Sequence, residues 1–88
     1  MIALIVDDDM EALEVLSHFL ESKGSQVLKA GTAGEGLKLF AAQEPDAIFL
    51  DIMLPDKNGL EMLKEIKGID PDMPVIMVTG YKDAEKVV

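Results

Sequence analysis

The stretch Ala47-Ile48-Phe49-Leu50-Asp51-Ile52-Met53-Leu54-Pro55-Asp56-Lys57-Asn58-Gly59 decides how the rest of the chain is read. Its apolar run is led by Ile48, Phe49 and Leu50, is preceded by Pro45-Asp46, and is too short for an ordinary helix. A run of this kind closed by turn residues reads as a strand buried on both faces. Asp51 stands where the apolar run gives out, at the carboxyl end of that strand. Beyond it, Leu54-Pro55 and Asn58-Gly59 force a turn, because Pro fixes φ and Asn or Gly tolerates positive φ. A carboxylate at that end of a central strand faces a loop, the place where open α/β sheets bind their ligands.

Composition narrows what surrounds this stretch. The chain has 88 residues, enough for one small domain or for part of a larger one. Hydrophobic residues make up 49%, so a core can form, although a chain this short leaves much of its surface uncovered. Cysteine is absent, which excludes disulfides and thiolate metal sites and fits a reducing compartment. The longest wholly apolar run, Met1 to Val6, is far too short for a bilayer span or a signal core, so a soluble cytoplasmic protein is expected. A net charge of −9 argues against a nucleic-acid surface. All eight cations are lysines, so a phosphate would have to be held by metal, backbone amides or lysine rather than by an arginine fork.

Outward from Asp51 the pattern alternates. Met1 to Val6 is apolar and rich in β-branched residues, hence a buried strand, and Asp7-Asp8-Asp9 follows at once. Ala12, Leu13, Leu16, Phe19 and Leu20 recur at helical spacing, with a stop at Lys23-Gly24. Gln26 to Ala30 is a shorter strand. Thr32 can cap a helix with Ala33, Leu37, Phe40 and Ala41 inward, ended by Pro45 and weakened at its start by Gly34 and Gly36. Leu60, Leu63 and Ile66 mark a third helix stopping near Gly68, and Val75 to Val78 a fourth strand ending at Thr79-Gly80. A further helix would start near Asp83, with Ala84, Val87 and Val88 on its apolar side. Short buried strands alternating with helices imply a parallel sheet with right-handed crossovers and helices on both faces.

In such a sheet every strand points the same way, so Asp7-Asp8-Asp9, Asp51 and Thr79 reach one edge. Crowded carboxylates repel, and a divalent cation relieves this; Mg²⁺ suits carboxylate, carbonyl and water oxygens. Thr79 adds a hydroxyl donor, and Gly80 leaves room for a ligand beside the backbone. Together these describe a phosphoryl-handling site built on metal. Helix capping is the better account of Asp9, but not of Asp7 and Asp8 facing Asp51.

These residues resemble a response-regulator receiver domain, the phospho-accepting module of two-component signalling. The matching motifs are Ile5-Val6-Asp7-Asp8-Asp9, Asp51-Ile52-Met53-Leu54-Pro55 with Asn58-Gly59, and Val78-Thr79-Gly80, at intervals that fit the family. The resemblance implies a flavodoxin-like doubly wound α/β fold with the strand order of receivers, 2-1-3-4-5. It implies Asp51 as phosphoryl acceptor and Asp8 as a direct Mg²⁺ ligand together with Asp51 and the backbone carbonyl of Met53. Asp7 would complete the metal site through a bound water. Thr79 would hydrogen-bond the new phosphoryl group and move towards it, biasing a two-state loop and helix surface. The donor would be a bacterial sensor histidine kinase and the readout a downstream effector domain controlling transcription. Like other receivers, the domain would be no enzyme but an acceptor that assists its own phosphorylation and dephosphorylation.

The family pattern continues through a fifth strand, carrying a Lys-Pro pair and a switch aromatic, and a fifth helix. Residues 1–88 have no counterpart of these, and Lys82, Lys86 and Tyr81 lie too close to Thr79 to stand in. The expectation is therefore a receiver incomplete at its C-terminus, with metal ligands kept and phosphorylation impaired. Its fourth strand would be an exposed edge, inviting self-association or exchange of an element between copies. Asp7-Asp8-Asp9 also contains the D-x-D element of haloacid-dehalogenase-type phosphatases, in which Asp7 would be the nucleophile. Glu11 stands where that family has Thr or Val, and its separate lysine and late acidic pair are missing. A flavodoxin-like FMN site would need Ser, Thr and Gly after the first strand, where three aspartates would repel phosphate. A module that binds partners without being phosphorylated is the remaining alternative. His18 reads as a solvated or partly packed helical histidine, Lys57 as an exposed loop lysine, and the six methionines as core filler.

Overall fold

A computed structural model describes residues 1–78. The expectations for Thr79, Gly80, Tyr81, Lys82, Lys86 and a helix near Asp83 fall outside these residues. Strand β1 (Ile2–Val6) leads to helix α1 (Met10–Ser22), β2 (Gln26–Ala30), α2 (Ala33–Gln43), β3 (Ala47–Asp51), α3 (Gly59–Ile69) and β4 (Val75–Val78). The strands form one parallel sheet in the order β2-β1-β3-β4, as expected for the first four strands of a doubly wound fold.

Alternation along the strands sends side chains to two cores. Leu4 and Val6 of β1 join Ile48 and Leu50 of β3 under Ala33 and Phe40 of α2 and Met62 and Ile66 of α3. Ala3 and Ile5 face the other way and pack with Leu13 and Leu20 of α1. The sheet is thus covered by α2 and α3 on one face and by α1 on the other. Burying each large aliphatic side chain contributes about 1.5–3 kcal/mol, so these two layers, rather than surface ion pairs, hold the strand ends in place.

The helices start where their caps predict. Asp9 Oδ1 accepts from the Glu11 and Ala12 N–H groups, Thr32 Oγ1 from Glu35, and Asn58 Oδ1 from Leu60. Helix α2 ends at Glu44, which takes a left-handed φ of 48°. Pro45 follows and disfavours the right-handed helical region for the residue before it.

Some faces differ from the sequence pattern. Strand β1 begins at Ile2 rather than Met1. The buried stripe of α1 runs through Leu13, Ser17 and Leu20, while Phe19 is 57% exposed with the Lys23 ammonium 5.6 Å from its ring centroid. Ser17 tolerates burial because its hydroxyl donates to Glu21 Oε1. Ala41 and Leu60 face solvent, and Gly36 and Met62 take the inward places on α2 and α3. Gly36 is more than a weak helix former: a Cβ there would come within 2.8 Å of Val6 Cγ2 and 3.0 Å of Met62 Cε. The glycine lets α2 lie close to the sheet.

Candidate functional site

Strand register brings the acidic residues together. Val6 pairs with Leu50, so the next residues, Asp7 and Asp51, leave neighbouring strands at the same level. Both side chains are buried, at 5% and 2% exposure, whereas Asp8 is exposed. One carboxylate oxygen from each of Asp7, Asp8 and Asp51 lies within 4.8 Å of the others. The edge is kept in place by the Asp7 N–H, which donates to Ala30 O at 3.0 Å and extends the β1–β2 ladder. Asp7 Oδ1 accepts from the Asp9 N–H at 2.9 Å, turning the chain from the strand into α1. Asp9 is committed to the helix cap, as its position in the sequence suggests.

The opposite wall is the connection from β3 to α3. Met53 donates its N–H to Asp51 Oδ1 at 3.4 Å, which sets its peptide beside the cluster. Gly59 N–H donates to Ile52 O at 2.7 Å, and Met53 and Asn58 form an isolated antiparallel bridge. Helix α3 therefore starts directly against the end of β3, and a Cβ on Gly59 would overlap the Asp51 carbonyl oxygen. Sequence marks Gly59 as a turn residue; the close approach is what the structure adds. On the last described strand Val78 pairs with Asp51.

The donor set suits a small hard cation. Mg²⁺ binds oxygens at about 2.1 Å, so its neighbouring ligands lie about 3.0 Å apart and opposite ones about 4.2 Å, and three oxygens gathered within 4.8 Å form a cluster of the size one such ion draws together. Two of the three carboxylates are out of bulk solvent, where like charges repel most strongly and a cation stabilises most. His18 is exposed on α1 and is not among the residues of this cluster.

Three contacts beyond the acidic cluster have no local sequence signal. Asp56, in the loop after β3, accepts from the Ala33 and Gly34 N–H groups of α2, each at 2.9 Å. The Gly34 bond first, and then the Ala33 bond, holds the Asp56 carboxyl below the usual carboxylate range. Its neighbour Lys57, read from sequence as an exposed loop lysine, is half-buried and paired with Glu65 of α3. That hydrogen bond pushes the lysine up from its ordinary value. At the far edge of the sheet, Asp46 Oδ2 accepts from the Ile2 N–H at 2.7 Å and fixes the start of β1 against β3.

Known proteins share this architecture. The family profile described as "Response regulator receiver domain" matches residues 3–88. Among curated proteins, the probable transcriptional regulatory protein TcrX of Mycobacterium tuberculosis is 36% identical over 81 residues, covering 92% of this chain and 34% of that protein. The probable C4-dicarboxylate response regulator DctR of Bacillus subtilis is 36% identical over 86 residues, covering 96% and 38%. The chain thus spans about a third of the length of these relatives. A CheY-like receiver domain structure from Methanospirillum hungatei superposes with a TM-score of 0.87 at 41% identity, covering 98% of this chain and 69% of that one. The response regulator TrrA of Thermotoga maritima, solved in complex with Mg²⁺-BeF, gives 0.87 at 32% identity, covering 97% and 74%. With its parallel β2-β1-β3-β4 sheet and its acidic edge, this chain belongs to the response-regulator receiver family of two-component systems.

Proposed function

We propose that the domain accepts a phosphoryl group on Asp51 from a sensor histidine kinase and passes the change to an effector domain that controls transcription. One observation carries the reading: oxygens of Asp7, Asp8 and Asp51 meet within 4.8 Å at the carboxyl edge of the sheet. An Asp51 carboxylate oxygen forms the new bond to phosphorus while the phosphorus–nitrogen bond of the donor phosphohistidine breaks. The electron pair returns to the imidazole nitrogen, which takes up a proton. Because the transferring group passes through a loose transition state, positioning and charge neutralisation supply most of the rate. Asp8, Asp51 and the Met53 carbonyl would hold Mg²⁺ directly and Asp7 through water; the cation neutralises charge on the transferring oxygens. Thr79 would hydrogen-bond the phosphoryl group and carry the switch.

The reading is supported by the relative solved with Mg²⁺-BeF and by the regulator names among the curated relatives. In this role the chain is an acceptor that assists its own phosphorylation and hydrolysis, not an enzyme turning over a separate substrate. A cytoplasmic setting suits such a role, and no described helix is long and apolar enough to cross a membrane. Incubation with acetyl phosphate should add one phosphoryl group in the presence of Mg²⁺ and none in EDTA. Labelling that ignores Mg²⁺ would contradict the proposal.

Among the described residues β4 pairs only with β3, and Ile76 on it is 43% exposed. We further propose that this edge supports self-association. Light scattering should show mass rising with concentration; a constant monomer mass refutes it.

A further inference from the structure

We infer that Asp56 is a positioning residue for the acceptor loop, strapping the β3–α3 connection to the start of α2 and so fixing the backbone that leaves Asp51. The connection is short and closed at its base. The Met53–Asn58 bridge and the Gly59 N–H to Ile52 O bond leave Leu54 to Lys57 as its tip. A tip held only at its base can rock, and rocking it moves the Met53 peptide beside the carboxylates. Two neighbouring tip residues stop this in different directions. Lys57 ties the tip to Glu65 of α3, its own helix. Asp56 ties it to a different helix, with Oδ1 on the Ala33 N–H and Oδ2 on the Gly34 N–H.

The receiving end is shaped for this. Thr32 already supplies the ordinary cap by accepting from Glu35, and Glu35 Oε1 accepts from the Gly31 N–H. Asp56 takes the first two N–H groups of α2, which these local caps leave over. Helix N-termini favour a negative group, so the carboxylate also sits well electrostatically. A Cβ at Gly34 would be 3.4 Å from Asp56 Oδ2, an ordinary contact distance, so the carboxylate lies directly against the first turn of α2. Helix α2 is itself anchored, with Ala33, Gly36 and Phe40 buried against the sheet. The strap therefore runs from a fixed body to the loop. Groups that orient metal ligands from one layer out commonly change metal affinity by about 10–100-fold when removed.

This inference rests on reading the Asp51 cluster as the Mg²⁺ and acceptor site, and its test separates the two. Amide exchange by NMR and Mg²⁺ titration would be run on the 88-residue chain and on its Asp56→Ala and Asp56→Asn variants. In Asp56→Ala, exchange at Gly59, which Asp56 does not touch, should rise about tenfold, with exchange at Ile48 unchanged and Mg²⁺ binding about 10–100-fold weaker. Asp56→Asn loses the same charge but keeps one acceptor oxygen, so it should fall between the parent and Asp56→Ala. Equal loss in both variants would assign the effect to charge and overturn the positioning role. Parental Gly59 exchange in Asp56→Ala would overturn it as well. If Gly59 exchange rises although the parent chain binds no Mg²⁺, the strap stands and the acceptor reading falls.

Discussion

Replacing Gly59 with alanine should destabilise the domain, against the sign that helix propensity gives. Gly59 is the first residue of α3, where Gly→Ala ordinarily stabilises by about 0.4–1 kcal/mol by restricting the unfolded chain. Here the added Cβ would overlap the Asp51 carbonyl oxygen and lie 2.8 Å from Ile52 Cα and 3.0 Å from Asp51 C. These are backbone atoms, so no rotamer change relieves the contact. The helix cannot simply back away, because Gly59 N–H is bonded to Ile52 O at 2.7 Å. Overpacking costs about 1–3 kcal/mol, and an overlap with backbone belongs in the upper half of that range, so a net loss of about 1–2 kcal/mol remains after the propensity gain. At roughly 2.1 cal/mol/K per residue the 88-residue chain should melt about 5–11 °C lower. Gly68 is the control. It lies in the same helix with nothing within 4 Å of its would-be Cβ, so Gly68→Ala should raise the Tm by about 2–5 °C. Far-UV circular dichroism melts of the two variants read both signs. If both substitutions raise Tm alike, α3 can yield at its start and does not hold the end of β3 in place.

Mg²⁺ at about 100 times its Kd should stabilise the chain by about 2.7 kcal/mol, seen as a higher Tm than in EDTA. Asp8→Asn should remove most of that increment while raising the Tm in EDTA, since it relieves repulsion within the cluster; an undiminished increment would exclude Asp8 from the site. Acid stability should depend on Asp56. Its folded-state carboxyl is held below the ordinary value of 3.8, so its contribution is present above that pH and lost as pH falls through the depressed value. Asp56→Asn should flatten this acid limb in pH-dependent melts. Lys57 behaves oppositely: its raised pKa means that the Glu65 pair contributes fully below pH 10.5 and is lost as pH rises from there through the raised value.

Much of this was legible in the chain because local physics and tertiary structure agree. The apolar runs give β1, β3 and β4, and the Thr32 and Asp9 caps mark helix starts that the structure keeps. Parallel strands alone place Asp7 and Asp51 at one edge, and the register makes them neighbours. The strand order, by contrast, came from family resemblance, since periodicity does not say which strand lies in the middle. The buried face of α1 departs from its apolar pattern because Ser17 is polar yet buried through its bond to Glu21, while Phe19 is apolar yet lies outside with Lys23. Asp46 and Asp56 were invisible for a different reason. Their partners, Ile2 and the Ala33–Gly34 pair, are distant in sequence, and an aspartate beside a turn looks the same whether or not it reaches another element.

Everything proposed for the site turns on which side chain carries the phosphoryl group. The chain would be treated with acetyl phosphate and Mg²⁺, reduced with borohydride to fix any acyl phosphate, and mapped by peptide mass spectrometry. The label should fall on Asp51 and vanish in Asp51→Asn. Label on Asp7, the position a haloacid-dehalogenase-type phosphatase would use, would contradict the account.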